Sequence, residues 1–86
     1  MGYGTTVNDT ATAPTSGTTF TIPALAGVQL NKLIILLRGA QAFTKIIASP
    51  GVPTGSQVAY DATDGTLTVP VGQEWIGEDV TYIYLT

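Results

Sequence analysis

Three carboxylates near the end of the chain are the strongest candidates for catalysis. Glu74, Glu78 and Asp79 lie beside Trp75, and a carboxylate pair next to an aromatic ring is the equipment of a glycosidase. Such a site needs a deep cleft, which a chain of 86 residues with one small core can hardly form. We therefore interpret this segment as a solvated acidic loop and expect the protein not to be an enzyme.

The remaining residue types offer little further chemistry. The chain has no His and no Cys, which excludes Ser-His and Cys-His nucleophile pairs and the imidazole and thiolate metal ligands. Asp61, Asp64 and Gly65 suggest a calcium loop, but oxygen ligands at alternate positions and a closing bidentate Glu are missing. A bulged turn needs the same Asp and Gly. We therefore expect a plain turn there, and neither a metal nor a cofactor.

Aromatic side chains and one arginine are the candidates for binding. Trp75 and the tyrosines could stack on the sugar rings of a host-surface glycan, although a Trp in a small β-domain lies more often in the core or at an interface. Arg38 is expected at the tip of a hairpin, where it could contact a partner. The candidate partner contacts are Tyr3, Val7, Arg38, Trp75, Tyr82 and Tyr84.

The surface is expected to be unusually poor in charge. Charged residues make up 10% of the chain and hydrophobic residues 44%, whereas about 25% is charged in an average soluble domain. This deficit suggests that other subunits cover part of the surface, and so favours a homo-oligomer. Three basic residues against six acidic ones leave no basic patch for a nucleic acid.

No membrane segment is expected either. The longest apolar run, residues 33–37, is far shorter than the roughly 20 residues of a spanning helix. The residues before Lys32 contain no Lys or Arg and no apolar core of a secretory signal. We therefore expect the chain to fold where it is synthesised.

The hydrophobic pattern predicts β-strands. Residues 18–22 alternate, with Phe20 and Ile22 on one side and threonines on the other. Residues 33–37 do not alternate, which predicts a strand covered on both faces, either by its own core or by a partner. A helix over residues 28–37 is the competing interpretation, but the β-branched residues and the following Gly39 favour a strand.

Turn residues divide the rest of the chain. Gly39 and Ala40 suit a two-residue type II′ hairpin that leads antiparallel into residues 42–48. Two prolines and two glycines make residues 49–55 a connection, interpreted as a crossover between sheets. The next two strands, residues 57–60 and 66–69, form a second hairpin, and residues 80–85 form the last strand. The expected fold is all-β: a single antiparallel β-sandwich or small barrel of about six strands.

The first seventeen residues differ from the rest. They are almost all small or polar, with Tyr3 and Val7 as the only bulky apolar positions. Such a segment brings little apolar area with which to fix itself. We therefore predict an extended N-terminal arm over residues 1–17 that lies on a second chain, followed by a β-sandwich domain over residues 18–86.

The second half of the chain carries two short motifs. Asp61-Ala62-Thr63-Asp64-Gly65-Thr66 follows a D-x-x-x-G-T pattern, and Gly77-Glu78-Asp79-Val80 follows a G-E-x-V pattern. Together with Phe20-Thr21-Ile22-Pro23 and residues 33–39, they make residues 18–86 resemble the small β-rich virion proteins of tailed bacteriophages. The resemblance implies capsid decoration or a place in a head fibre or tail, a virion location after assembly in the host cytoplasm, and other virion proteins as partners. It assigns a role to no individual residue.

Overall fold

The computed structural model describes residues 5–86 and shows two four-stranded β-sheets. The strands are β1 (Thr6–Thr12), β2 (Thr19–Thr21), β3 (Leu33–Arg38), β4 (Gln41–Ala42), β5 (Lys45–Ala48), β6 (Gln57–Asp61), β7 (Thr66–Thr68) and β8 (Asp79–Leu85). Sheet A has the order β1-β8-β3-β4 and sheet B the order β2-β7-β6-β5. The all-β class predicted from the sequence is confirmed, with eight strands instead of about six. None of the helices in residues 5–86 is long and apolar enough to cross a membrane.

Both sheets contribute side chains to one hydrophobic core. Because side chains alternate along a strand, each sheet has one side that faces this core and one that faces away from it. The 3-10 turn Pro23–Leu25, between β2 and β3, adds the fully buried Leu25. The main core residues from the strands are Leu36, Val80 and Tyr82 of sheet A, and Val58, Tyr60 and Leu67 of sheet B.

The N-terminal segment is a strand of the domain. β1 pairs antiparallel with β8 over its whole length, from Thr6 opposite Leu85 to Thr12 opposite Asp79. Just after β1, the Ala13 N–H donates to the Glu78 carbonyl at 2.9 Å. The prediction of an arm on a second chain is therefore wrong for β1, because backbone hydrogen bonds to β8 hold an edge strand that buries little apolar area.

Residues 33–37 form a strand, as predicted, and the helical alternative is wrong. The 3-10 turn Leu30–Lys32 ends directly before β3. β3 then pairs antiparallel with β4, and Gly39 between them has φ 59°, as a type II′ turn requires at its first central residue. The predicted strand over residues 42–48 is divided, because the chain leaves sheet A after β4 and enters sheet B at β5.

Sheet B contains one parallel pair, which corrects the prediction of a purely antiparallel fold. β5 and β6 run parallel, with Ile46 opposite Val58. The connection between them therefore stays within one sheet instead of crossing to the other, and its prolines keep it out of the ladder. The hairpin of β6 and β7 is confirmed: Gly65 has φ 79°, and its N–H donates to the Asp61 carbonyl at 2.9 Å.

Candidate functional site

Trp75 lies inside the domain and is closed off from any partner. Its side chain is 0% exposed, and its indole Nε1–H donates to the Thr18 carbonyl at 3.2 Å. Phe20 and Phe43 meet the ring edge-to-face, with centroids 5.6 Å and 6.2 Å away. Trp75 therefore belongs to the core, and its prediction as a partner contact is wrong because the whole side chain is buried within its own chain.

Arg38 covers the remaining side of this tryptophan. Its guanidinium carbon lies 4.8 Å from the centroid of the Trp75 ring. Nε donates to a Glu78 carboxylate oxygen at 2.6 Å, while Nη1 and Nη2 donate to the carbonyls of Gln73 and Glu74. One side chain thus ties the loop between β7 and β8 to the end of β3, in an arrangement that we call the Arg38 clamp. The three guanidinium nitrogens are occupied within the chain, and the partner contact at Arg38 stays a prediction.

The three carboxylates of this region have structural partners. Glu78 is paired with Arg38, and Asp79 accepts a hydrogen bond from the Thr12 hydroxyl at 3.2 Å. Glu74 accepts the Gly72 N–H at 2.8 Å, and this backbone hydrogen bond lowers the pKa of the Glu74 carboxyl, which is the opposite of what a general acid needs. A groove of about 400 Å³ lies beside the clamp, and Arg38 and Glu78 are the ionisable groups lining it in the described chain.

No metal site emerges in residues 5–86. These residues contain no group of three or more Asp or Glu side chains placed to hold an ion. The Asp61 and Asp64 carboxylates instead accept the N–H groups of Thr63 and Thr66, at 2.9 and 3.1 Å. These are the bonds of a turn, in which short polar side chains hydrogen-bond the backbone two residues further on.

The tyrosines of β8 face the core side of sheet A. Tyr82 is buried, and its ring stacks on that of Tyr84 with centroids 6.2 Å apart. Burial raises the pKa of the Tyr82 hydroxyl, and the nearby Asp9 charge raises it further. Because the Tyr82 side chain is buried, the predicted partner contact at Tyr82 is wrong. The side chains of Tyr84 and of Val7, which lies opposite it on β1, are half-buried. Tyr3 lies outside the described residues.

A β-bulge in β3 exposes two adjacent large hydrophobic side chains. Leu33 lies opposite Tyr84 and Ile35 opposite Ile83, so β3 has one more residue than β8 between these two pairs. A bulge of this kind sets two successive side chains on the same side of a sheet. Leu33 and Leu36 are buried, whereas Ile34 and Ile35 are 51% and 38% exposed. The bulge therefore places two adjacent isoleucines on the solvent side of sheet A.

The neighbouring strands extend this exposed surface. Ile83 lies opposite Ile35, and Leu85, further along the same side of β8, is 39% exposed. β1 contributes threonines, whose hydroxyls bond across to β8 in the contacts Thr10 to Thr81 and Thr12 to Asp79. We call this surface the apolar face of sheet A. Its residues are Ile34, Ile35 and Leu37 of β3, Ala42 of β4, Thr81, Ile83 and Leu85 of β8, and Thr6, Asn8, Thr10 and Thr12 of β1.

The outward side of sheet B has a different character. Thr19 and Thr21 of β2 lie opposite Thr68 and Thr66 of β7. The hydroxyls of Thr21 and Thr66 hydrogen-bond each other at 2.8 Å, as threonine pairs do on exposed strands. The two outward surfaces thus differ in part: β2 and β7 of sheet B present hydroxyls to solvent, whereas β3 and β8 of sheet A present branched hydrocarbon.

The site residues identified from sequence are scattered, and the apolar face is made of other residues. The sequence signal for the apolar face is the non-alternating run of residues 33–37, which predicts a strand covered on both faces by its own core or by a partner. Of the residues in this run, only Leu33 and Leu36 are buried in the chain's own core.

Comparisons with known proteins give no match: no protein-family model, no curated protein and no solved structure is similar to this chain.

Proposed function

We propose that this protein is a non-enzymatic structural component of a tailed-bacteriophage virion, a capsid decoration or fibre subunit, whose apolar face of sheet A packs on neighbouring subunits. The observation that carries the proposal is the exposure of Ile34 and Ile35, side by side in the middle of a sheet. A contiguous hydrophobic patch with a polar rim is typical of protein contact surfaces, and we infer that this face is covered in the working state.

Composition and polarity support this proposal. The net charge is −3 over 86 residues, with 10% charged residues, so little charge repels a neighbouring subunit from the surface. The two sheets would form a sandwich, with the threonine-lined side of β2 and β7 in sheet B towards solvent and the outward side of sheet A towards a neighbouring subunit. The resemblance of residues 18–86 to small virion proteins suggests the kind of assembly, and the apolar face suggests the contact.

A glycan-binding module is less well supported than it was from sequence. That hypothesis needs exposed aromatic rings on which a sugar can stack, and its main candidate was Trp75. The indole is completely buried and covered by Arg38. The proposal therefore places the interaction on aliphatic side chains, which suit a protein partner better than a sugar.

The direct test is to look for the protein in virus particles. Particles from a lysate of cells that produce the chain are purified on a density gradient, and their proteins are quantified by mass spectrometry. We expect the chain in the particle fraction at a fixed copy number relative to the major capsid or tail proteins. Its recovery only from the soluble fraction would refute the proposal.

A matched pair of variants then tests the surface. Ile35→Asp places a charge in the middle of the apolar face, and Ile76→Asp places one at an equally apolar position, 74% exposed, in the loop of the Arg38 clamp. We expect Ile35→Asp to lose incorporation into particles and Ile76→Asp to retain it. Equal incorporation of both folded variants would contradict the role of this face.

A further inference from the structure

We infer that the apolar face of sheet A pairs with the same face of a second copy of this chain, in a twofold dimer whose axis lies between the faces and perpendicular to their strands. The inference rests on the proposed function, for which it names the partner. In an isologous pair each residue of the face meets a residue of the same face. The face must therefore be compatible with itself in shape and in charge.

The middle of the face has no charge that would repel its copy. Within the described residues, the outward-facing side chains of sheet A are hydrocarbon, hydroxyl or amide, except for Asp79 at one end. The exposed hydrocarbon side chains are Ile34 and Ile35 at the centre of the face, and Leu85 at the end of β8 opposite Asp79. Two such faces can approach to the roughly 10 Å that separates packed sheets without burying like charges.

The charges at the two ends determine the orientation. Asp79 begins β8, and its carbonyl accepts the Gly39 N–H, so it lies where β3 ends. Lys32 directly precedes β3 and lies near Leu85, at the opposite end of the sheet. A twofold axis perpendicular to the strands brings Lys32 of each copy to Asp79 of the other, whereas an axis along the strands would bring Asp79 to Asp79. Opposite charges favour the first arrangement.

The size of the face predicts a weak dimer. Four strands about 4.8 Å apart and about 20 Å long give roughly 300 Å² in projection on each copy. A standard interface buries about 800 Å² on each partner, so we expect a dissociation constant on the order of 0.1 to 1 mM. Such a contact is negligible in dilute solution and becomes effective when many copies are held together on a particle.

Sedimentation velocity of the purified chain, from about 0.02 to about 2 mM, is the test. The expected result is a mass-average that rises from the monomer mass of 8.9 kDa towards twice that value. Ile35→Asp should remain monomeric throughout, and Ile76→Asp should dimerise like the wild type. A wild-type chain that stays monomeric at the highest concentration overturns the inference, as does an Ile35→Asp variant that dimerises normally.

Charge reversal tests the orientation. Lys32→Glu and Asp79→Lys each create two like-charge contacts in the dimer, and each should weaken it about tenfold at low salt. The double variant Lys32→Glu/Asp79→Lys restores opposite charges and should return the affinity to within about threefold of wild type. Additive weakening in the double variant would overturn the proposed axis.

The outcomes also separate this inference from the proposed function. A chain that is monomeric at every concentration, yet enters particles through Ile35, has another virion protein as its partner, and only the inference of a second copy fails. A chain that dimerises as described but is missing from purified particles contradicts the virion role while leaving the dimer in place.

Discussion

Replacing Arg38 by alanine removes every contact of the Arg38 clamp at once. The variant loses the ion pair with Glu78, two hydrogen bonds to the loop carbonyls and the cation–π contact with Trp75. The ion pair is about one fifth exposed, with side chains 20% and 18% accessible, so solvent screening limits it to roughly 0.5 to 1 kcal/mol. A charged hydrogen bond adds about 1.5 kcal/mol and the ring contact about 0.5 to 1 kcal/mol.

The expected loss of unfolding free energy is about 3 kcal/mol, below the sum of all separate contacts because they share one side chain. A domain of 86 residues has roughly 4 to 13 kcal/mol in all, so the loss is a large fraction of the total. It corresponds to a fall in Tm of about 12 to 24 °C. Urea denaturation followed by Trp75 fluorescence measures it, and the native emission should also shift to the red as water reaches the indole.

Two further variants make this test decisive. Lys45→Ala removes a cation from an exposed position of β5 and should cost less than about 0.5 kcal/mol. Arg38→Lys keeps the charge but cannot bond a carboxylate and two carbonyls in one plane, so it should recover less than half of the loss. If Arg38→Ala is no more costly than Lys45→Ala, or the Trp75 emission is unchanged, the clamp has no stabilising role and the reasoning is wrong.

Two more predictions concern the fold itself. Gly65→Ala should destabilise the protein by at least about 2 kcal/mol in urea denaturation, because Gly65 has φ +79° and a Cβ there would lie 2.2 Å from the Ile22 carbonyl oxygen. The control is Gly72→Ala, at φ +96° in open space, which should cost only about 1 kcal/mol. Equal costs of the two substitutions would rule out a steric contribution at Gly65. Burial raises the pKa of the Tyr60 and Tyr82 hydroxyls above the ordinary tyrosine value of about 10. The unfolded chain therefore releases these protons at lower pH than the folded chain, so the contribution of the two tyrosines to the free energy of unfolding should be constant below about pH 9 and fall as the pH rises through 10. The Tyr60→Phe/Tyr82→Phe variant should lose most of this slope, and an unchanged slope would refute the assignment.

Local turn chemistry explains which parts of the fold could be predicted from sequence. The hairpin of β6 and β7 depends on Asp61 and Gly65, whose roles are set within a few residues. β3 was predictable from its β-branched run, and the turn at Gly39 from the residue itself. These features need no knowledge of distant partners.

The errors concern pairing between distant segments. β1 pairs with β8, more than sixty residues away along the chain, and nothing in a run of threonines and small residues indicates that partner. The parallel direction of β5 and β6 depends on where the chain changes sheets, which periodicity does not show. The bulge in β3 is hidden for the same reason: in a run of leucines and isoleucines, only the register against β8 determines which two residues share a side.

The site shows the same division between local and distant information. The residue types of Trp75 and Arg38 indicate binding, but Phe20, Phe43 and Glu78 from other elements make their environment. Residue type alone cannot distinguish an arginine at an interface from one that closes its own core. The apolar character of residues 33–37 was visible, whereas the exposure of Ile34 and Ile35 required the tertiary structure.

The pairing of β1 changes what the N-terminal segment contributes to assembly. β1 covers the free edge of β8, the strand that carries Ile83 and Leu85. Its hydroxyls at Thr10 and Thr12 bond across to Thr81 and Asp79, so β1 also helps to position the carboxylate that orients the inferred dimer. Removing β1 would therefore disturb folding and assembly together, because it would uncover an edge and release Asp79. A single charge at Ile35 leaves the ladder intact, and for that reason only a substitution of this kind separates the assembly role of the face from the stability of the domain.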